Sequence, residues 1–323
     1  MTWPYHGGEL EAQTLAGGGA RGGAIRDRMP AQHREFFEAL PFVVVASVDR
    51  GGPVASVWTG APGFVRAPDA QTLRIATALD PTGGFAPRPT GGAGRVPTPQ
   101  IFASLDPGDP ATPAFVVGAP LGLLGIDLAT RRRNRANGVI AAVDAAELVV
   151  AVRQSFGNCP RYIWPREVEP VARRPSPAER WDGLDREAAS AIARADTFFV
   201  ATSSHVEESA GGVDISHRGG PPGFIHLDGN VLTIPDYPGN RYFNTLGNLV
   251  SEPRAALLFI DFSRGDILHV QGAVEIVWDG PEVRGFDGAE RLWRVHVERG
   301  WRRRDALALR WSPASADDVQ RHA

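Results

Sequence analysis

The stretch VVVASVDRGGPVASVWTGAPGFVRAPDAQTLRI, residues 43–75, decides the organisation of the chain because it returns later in altered form. Its counterpart is FFVATSSHVEESAGGVDISHRGGPPGFIHLDGNVLTI, residues 198–234. In both stretches a strand-like run enters a turn, a second run reaches a Gly-x-Pro-Gly-Phe corner, and a hairpin pattern follows. Internal similarity of this kind is the signature of repeated structural units. The repeat predicts two small all-β barrels of the same topology.

A second pair of similar stretches continues the repeat. Residues 122–143, GLLGIDLATRRRNRANGVIAAV, are similar to residues 256–277, ALLFIDFSRGDILHVQGAVEIV. The alignment places Asn137-Gly138 opposite Gln271-Gly272. Most other segments are short runs of β-branched and aromatic residues bounded by Gly, Pro, Asp or Asn, which are typical of strands joined by turns. We therefore predict a mainly β fold with few helices.

Helical patterns divide the chain into two domains. They occur in AQHREFFEAL near the start, in residues 175–195 at mid-chain, and in NRYFNTLGNLV. We predict that the mid-chain segment joins a first domain with an N-terminal helical arm, residues 1–174, to a second domain, residues 175–323. Where the second domain has a compact turn and helix, the first has the Gly/Pro-rich segment 81–99. This asymmetry indicates that the chain has one ligand site, whereas a symmetric dimer would have two. The alternative is that the Gly/Pro-rich segment is an ordinary surface insertion.

The composition limits the classes of function. The chain has 323 residues, 43% of them apolar, and a formal net charge of −3, which favours small-molecule chemistry over a nucleic-acid or membrane-surface role. A single cysteine cannot form an intrachain disulfide, and the first residues lack a signal-peptide pattern, so a cytoplasmic location is expected. The apolar runs are strand-sized, too short to cross a bilayer. No histidine or cysteine spacing typical of a metal site occurs, so no bound metal is expected.

The chain contains no lysine, so all 34 basic residues are arginine. This excludes catalysis through a lysine Schiff base. Any phosphate group must be held by arginine, by hydroxyl or amide side chains, or by backbone N–H groups.

The segment PDYPGNRYFNTLGNL carries the first group of candidate site residues. Pro238-Gly239 breaks the preceding strand, and Asn240 is a good N-cap for the helix that follows. A helix start offers free backbone N–H groups, here beside Arg241, Asn244 and Thr245, and such an arrangement binds phosphate. A helix that only covers one end of a barrel is the alternative interpretation.

The segment DISHRGGPPGF carries the second group. Ser216, His217 and Arg218 end a predicted strand before a glycine pair, so their side chains are expected at a barrel rim. Arg218 could supply positive charge to a planar cofactor that becomes anionic on reduction. His217 could transfer protons, because the ordinary pKa of histidine lies near neutrality. A surface arginine and a turn histidine are the alternative.

Two further features come from the first half. In the run TRRRNRANG, strand alternation sends successive arginines to opposite faces, and some of them are expected in the seam between the halves. Cys159, in the stretch SFGNCPRYIWPR, has no neighbouring histidine that could act as its base. We interpret Cys159 as a wall residue, in a turn after the sixth strand of the first barrel.

These motifs together carry a family resemblance. SFGNCPRYIWPR, DISHRGGPPGF, PDYPGNRYFNTLGNL, PRAALLFIDF and RRRNRANG resemble the pyridoxamine 5'-phosphate oxidase-like FMN-binding split-barrel family, in particular its longer members with two fused split barrels. The resemblance runs from about Tyr5 to about Trp311. It implies two fused split β-barrels that form a pseudo-dimer, with one FMN in the crevice between them. Family members also include flavin and nitro reductases and haem binders, so the resemblance specifies the fold better than the substrate.

The resemblance also implies which residues contact the cofactor. The FMN phosphate is expected near Asn240, Arg241, Asn244, Thr245 and Asn248. The ring and the ribityl chain are expected along Ser216, His217, Arg218 and Gln271, and the first half is expected to contribute Asn158, Cys159, Arg161, Tyr162 and Trp164. The chain departs from true pyridoxamine phosphate oxidases, which commonly place a lysine at the flavin phosphate, so their activity is not expected here.

The leading hypothesis is therefore an FMN-dependent oxidoreductase with His217 and Arg218 as catalytic candidates. It would pass hydride or electrons from NAD(P)H or a small organic substrate to an acceptor such as oxygen. A homodimer is left open. One alternative is haem binding with His217, His226 or His269 as axial ligand. The other is a flavin-binding protein without catalytic activity.

Overall fold

The computed structural model describes residues 4–77, 106–204 and 210–314 of the chain. The Gly/Pro-rich segment 81–99 lies outside these residues. The described part is mainly β with a few short helices, so the predicted fold class is confirmed. No helix in the described ranges is both long and apolar enough to cross a membrane.

The first half forms a seven-stranded antiparallel sheet. Two helices precede it, and a 3-10 turn, Thr112–Ala114, precedes its fifth strand. The elements are α1 (Gly7–Leu15), α2 (Ala31–Ala39), β1 (Phe42–Asp49), β2 (Gly52–Thr59), β3 (Val65–Arg66), β4 (Thr72–Ala76), β5 (Pro120–Asp127), β6 (Arg132–Val143) and β7 (Glu147–Gly157).

The second half forms an eight-stranded sheet, and two short strands form a separate ribbon. The elements are β8 (Val168–Pro170), β9 (Glu179–Asp182), α3 (Arg186–Arg194), β10 (Thr197–Ser203), β11 (Val213–Gly219), β12 (His226–Asp228), β13 (Val231–Asp236), α4 (Asn244–Ser251), β14 (Arg254–Ile260), β15 (Ile267–Val277), β16 (Arg291–Arg303) and β17 (Leu309–Trp311). The ribbon pairs β8 with β17, and β9 extends the main sheet beside β16.

The two sheets have the same strand order, as the sequence repeat predicts. The first runs β2-β1-β5-β6-β7-β4-β3 and the second β11-β10-β14-β15-β16-β13-β12. Both halves also have a register shift at the aligned dipeptides Asn137-Gly138 and Gln271-Gly272. A Cβ at Gly138 or Gly272 would lie 2.1 or 1.9 Å from a backbone oxygen of the neighbouring strand. The bulges require glycine, which explains why the dipeptides recur.

The halves pack through equivalent strands. β2 of the first half contacts β14 of the second half. Their equivalents in the other halves also contact each other, since β11 of the second half packs against β5 of the first. A Cβ at Gly122 on β5 would lie only 2.8 Å from the Val213 carbonyl oxygen on β11. One buried apolar cluster therefore includes residues of both halves, among them Leu123, Ile215 and Trp311.

Three local predictions were wrong. The mid-chain segment 175–195 is helical only from Arg186, because residues 179–182 pair with β16 as strand β9. Helix α4 begins at Asn244 rather than after Asn240. The turn that carries Cys159 follows the seventh strand of the first sheet, not the sixth. The long strand β16 was not predicted, because its alternating arginines and tryptophans have no clear strand boundary.

Candidate functional site

A crevice between the halves collects most of the predicted site residues. Its first-half wall is β6 and the loop after β7, and its second-half wall is β11, β13 and the start of α4. The predicted residues that line it are Asn158, Cys159, Arg161, Tyr162, Ser216, His217, Arg218, Asn240, Arg241, Asn244 and Thr245. Its volume is about 110 Å³, below the roughly 300–1,000 Å³ of typical cofactor pockets. A cofactor would therefore have to displace side chains at its mouth.

Arg135 lies at the floor of the crevice and connects both halves. Its guanidinium donates from Nη2 to Ser216 Oγ (2.5 Å) and from Nη1 to Asn244 Oδ1 (3.1 Å). The Ser216 hydroxyl is in turn 2.9 Å from Thr245 Oγ1. Nη1 also lies 3.4 Å from Asp214 Oδ1, and this ion pair is buried. One cation, two hydroxyls and an amide thus converge where β6, β11 and α4 meet, a donor set that suits an oxyanion.

The approach to α4 is strained in a way the sequence did not reveal. Arg241 and Phe243 have left-handed φ angles of 59° and 62°, which cost free energy and cluster at functional sites. Phe243, not Asn240, occupies the N-cap position, and no side chain caps the helix. Asn240 instead donates to Asn158 Oδ1 (3.1 Å) and so joins the two walls. The N-cap prediction fails because the strained turn delays the helix by three residues.

Arg133 on the first-half wall and His217 on the second-half wall form a second polar group across the crevice. Arg133 donates from Nε to the Cys159 carbonyl oxygen and from Nη1 to His217 Nδ1, both at 2.9 Å. Among the described residues no carboxylate pairs with Arg133. Burial, with the nearby Arg133 and Arg218, lowers the pKa of His217 well below its ordinary value. The neutral form of His217 is therefore favoured, and its role in proton transfer stays a prediction.

The hydrogen bond from Arg133 also fixes the tautomer of His217. Because Nδ1 accepts, the ring proton sits on Nε2. This Nε2–H is buried in the crevice wall and has no partner in the described ranges of the chain. Arg135 Nε and Asn158 Nδ2 are likewise buried without an acceptor among those residues. Three unsatisfied donors on one crevice indicate a missing acceptor-rich ligand.

Arg218 lies in the crevice but is neutralised. It forms an ion pair with Asp236, and Arg291 reaches the other oxygen of the same carboxylate at 2.5 Å. Arg291 also pairs with Glu290 (2.9 Å). Arg218 therefore has less positive charge to offer a ligand than Arg133. Sequence reasoning missed this, because Asp236 is 18 residues from Arg218, on another strand, and Arg291 is 55 residues from Asp236.

Two tyrosines close the mouth of the crevice. The rings of Tyr162 and Tyr237 stack with centroids 5.5 Å apart, and the Tyr162 hydroxyl donates to the Pro238 carbonyl oxygen. Tyr162 has a left-handed φ of 64°. A Cβ at Gly219 would lie 2.1 Å from the Tyr162 carbonyl oxygen, so only glycine lets the loop approach β11 this closely. Arg161 lies beside Tyr162 on the same wall.

Three predicted cofactor residues lie outside the crevice lining. Trp164 is buried and anchors the loop by donating from Nε1 to the Asp196 and Gly220 carbonyl oxygens. Asn248 lies behind the crevice. Gln271 is on the far side of the barrel interface, where it donates to the Pro53 carbonyl oxygen and accepts from Arg299 Nε. Arg241 lines the crevice, but its guanidinium holds the carbonyl oxygens of residues 16 and 18 in the N-terminal arm.

The equivalent position in the other half is closed by protein atoms. Along the matching strand ladders, Ser56 corresponds to Ser216 and His269 to Arg135. Ser56 donates to the carboxylate of Asp109, which is buried. His269 accepts from the backbone N–H of residue 55 and stacks on Trp301 at 4.8 Å. Of these two equivalent positions, the one with Arg135 and Ser216 therefore has the donor set that suits an oxyanion.

The histidines give no support to an axial ligand. Nδ1 of His217 and Nε2 of His269 already accept hydrogen bonds, so the opposite nitrogen of each ring carries the proton and has no free lone pair. Burial lowers the pKa of His269 to about 3. His226 lies on β12, away from the crevice, with its ring against Phe286 at 4.5 Å.

A larger groove of about 780 Å³ lies elsewhere, between α3 and the ends of β14 and β17. It contains none of the predicted site residues. Its charged side chains include both signs, such as Arg302 paired with Asp185 and Arg310 paired with Glu169. Buried donors without acceptors among the described residues occur in this groove too, at Arg166 Nη1, Thr197 Oγ1 and Trp311 Nε1. The smaller crevice is favoured because it gathers most of the predicted site residues.

Comparison with known proteins finds a family match in the second half. Residues 184–317 match the family model of pyridoxamine 5'-phosphate oxidase. This match includes β11, β13 and α4, which form the second-half wall of the crevice. No curated protein gives a match.

Similar solved structures each cover less than half of the chain. HupZ from Group A Streptococcus has 18% identity over 36% of this chain and 90% of its own, with a TM-score of 0.28. An FAD-binding protein from Mesorhizobium loti has 11% identity over 39% and 97%, with a TM-score of 0.29. A pyridoxinephosphate oxidase family protein from Clostridium acetobutylicum has 16% identity over 41% and 94%, also with a TM-score of 0.29. Similarity this low supports no inference about activity.

Proposed function

We propose that the protein is an FMN-dependent oxidoreductase, on the premise that residues 184–317 match the family model of pyridoxamine 5'-phosphate oxidase. The observation that carries the proposal is the crevice in which the buried donors Arg135 Nε, His217 Nε2 and Asn158 Nδ2 lack acceptors among the described residues. A phosphate and a flavin ring edge are rich in acceptors. We further propose that the two fused split barrels act as a pseudo-dimer, with the division at residues 174 and 175.

The donor set suggests which residues would hold the cofactor. Arg135, Ser216, Asn244 and Thr245 would bind the phosphate, since a charged donor and hydroxyls converge there at the start of α4. Tyr162 and Tyr237 would have to separate, because the crevice is smaller than a typical cofactor pocket. When bound, the flavin would supply the hydride and electron transfer.

The chain's own contribution would be charge and orientation. We assign the positive charge beside the ring to Arg133 rather than Arg218, because Arg218 is paired with Asp236. His217 would donate from Nε2 as a neutral ring. The electron donor is proposed to be NAD(P)H or a small organic substrate, and the acceptor an oxidant such as oxygen. A cytoplasmic location and further homodimerisation are part of the same proposal.

The absorbance spectrum of the purified protein tests the proposal. We expect two broad bands, in the blue and the near ultraviolet, and release of FMN on denaturation. Apo-protein should regain these bands when FMN is added, and NADPH or NADH under anaerobic conditions should bleach them. A single intense Soret band without released flavin would instead show haem binding. Bound FMN that no nicotinamide or candidate substrate reduces would favour a binding protein without catalytic activity.

Cys159→Ser is expected to leave FMN affinity and turnover within about twofold of the unaltered protein. The contact that Cys159 makes with Arg133 uses its backbone carbonyl oxygen, which serine retains. FMN titration and steady-state rates with the same electron donor would measure the effect. Loss of turnover with FMN still bound would show that the thiol takes part in the chemistry, against its interpretation as a wall residue.

A further inference from the structure

The N-terminal arm crosses the molecule to reach the crevice. Helix α1 precedes the first barrel in sequence, yet it packs on α4 of the second. The contact is between backbones: a Cβ at Gly247 would lie 2.5 Å from Glu9 Cα, and one at Gly8 would lie 2.3 Å from the Gly247 carbonyl oxygen. The arm is therefore held against the helix whose first residues line the crevice.

Glu9 on this arm contacts the crevice residue Asn244. Its Oε1 accepts from Asn244 Nδ2 at 2.5 Å, and its Oε2 accepts from the His6 backbone N–H at 3.0 Å. The other end of the same amide, Asn244 Oδ1, accepts from Arg135 Nη1 at 3.1 Å. Glu9 thus sets the direction of the Asn244 amide, and that direction sets where Arg135 points.

From these contacts we propose that the N-terminal arm is part of the phosphate site and that Glu9 is a positioning residue for Asn244 and Arg135. This inference rests on the proposed FMN binding. The inference gives the N-terminal arm a role in the site beyond covering one end of a barrel. Glu9 itself is not proposed to contact the ligand.

The surroundings of Glu9 favour its neutral form. Arg135, the cation that contacts Asn244, is already paired with Asp214 on β11. His6 Nδ1 accepts from the Gly8 N–H, and its Nε2 lies 2.9 Å from Asn248 Oδ1 and 3.8 Å from Glu9 Oε2. Burial, reinforced by the Asp214 carboxylate, raises the pKa of Glu9 to about 8. Both carboxyl oxygens accept from N–H donors, and burial beside the Asp214 carboxylate favours the protonated form of Glu9.

A bound phosphate makes the proton on Glu9 necessary. A phosphate monoester carries close to two negative charges above about pH 6. With Arg135 and Asp214 cancelling each other, an ionised Glu9 would add a third negative charge to the two of the phosphate in a buried cluster, an unfavourable arrangement. FMN binding and ionisation of Glu9 should therefore oppose each other.

A titration of the full-length apo-protein with FMN, followed by flavin fluorescence between pH 7 and 9.5, tests the inference. For the unaltered protein the dissociation constant should rise about tenfold per pH unit above about pH 8. Glu9→Gln cannot ionise, so its affinity should be lower than that of the unaltered protein at pH 7 by a small factor and then stay constant. Glu11→Gln, an exposed change on the same helix, should follow the unaltered protein.

The outcomes separate this inference from the proposed function. If the unaltered protein binds no FMN at any pH, the proposed function is wrong. If it binds FMN but Glu9→Gln shows the same loss of affinity above pH 8, Glu9 is not the responsible group and the inference is overturned. Riboflavin, which lacks the phosphate, should show a smaller rise in dissociation constant; an equal rise would also overturn it.

The ligand-free protein gives an independent readout. Because the pKa of Glu9 is raised on folding, its contribution to stability is complete below about pH 4.5 and is lost as pH rises towards about 8. Urea unfolding should show this decline in the unaltered protein and a flatter profile in Glu9→Gln. Identical profiles would mean that Glu9 ionises as readily in the folded protein as in the unfolded chain.

Discussion

Arg135→Met is expected to weaken FMN binding by at least about 100-fold, or about 2.7 kcal/mol. The change removes the charged donor that joins Ser216 and Asn244 across the two halves. It also leaves Asp214 buried without its cation, which typically costs about 3–5 kcal/mol of stability. FMN fluorescence titration and urea unfolding measure the two effects separately.

Two controls make the Arg135 result specific. Arg153→Met removes an exposed arginine from the neighbouring strand β7 and should change neither measurement appreciably. The double variant Arg135→Met/Asp214→Asn removes both charges, so it should regain much of the lost stability while FMN affinity stays low. Recovery of FMN binding in the double variant would mean that the single change acted through misfolding and not through loss of a phosphate ligand.

Gly247→Ala is expected to destabilise the protein by about 2–4 kcal/mol, the range for overpacking with backbone displacement. The direction of this change in stability is informative, because a glycine-to-alanine substitution inside a helix ordinarily raises the free energy of unfolding by about 1 kcal/mol. Here the added methyl would meet the backbone of Glu9 at 2.5 Å and must push the arm away. Thermal unfolding would give the stability, and limited proteolysis would show cleavage within residues 4–20.

The matched control for Gly247→Ala is Gly285→Ala, where an added Cβ has no heavy atom within 4 Å among the described residues. It should leave stability within about 0.5 kcal/mol, as ordinary surface changes do. A stabilised Gly247→Ala protein with unaltered proteolysis would show that α1 does not press on α4 as tightly as described.

The fold was predictable because its evidence is local. The strand at residues 42–49 follows from its β-branched composition and the strand at residues 254–260 from a short apolar run, and the repeat follows from direct comparison of two stretches. The arginine run also behaved as expected from strand alternation: Arg133 and Arg135 line the crevice, while Arg132 lies over Phe36 on the other face. Successive side chains of a strand point to opposite faces, so the sequence alone predicts which of these arginines share a face.

The site was predictable only in part because its key contacts are distant in sequence. Local motifs placed Ser216, His217 and Thr245 in the crevice, but nothing near Glu9 in the sequence indicates a partner 235 residues away. The same limit hid the pairing of Arg218 with Asp236 and made Arg218 seem the available cation. The position of Gln271 was wrong because a strand residue can face either half, and register decides which.

The unequal crevices show what joining the two halves in one polypeptide permits. In a symmetric homodimer every substitution is made twice, so a change that closes one site closes the other. Here Asp109 and His269 occupy one side while Arg135 and Ser216 occupy the other, each encoded separately. Selection can therefore improve ligand binding on one side and packing on the other without compromise, a freedom that identical subunits do not have.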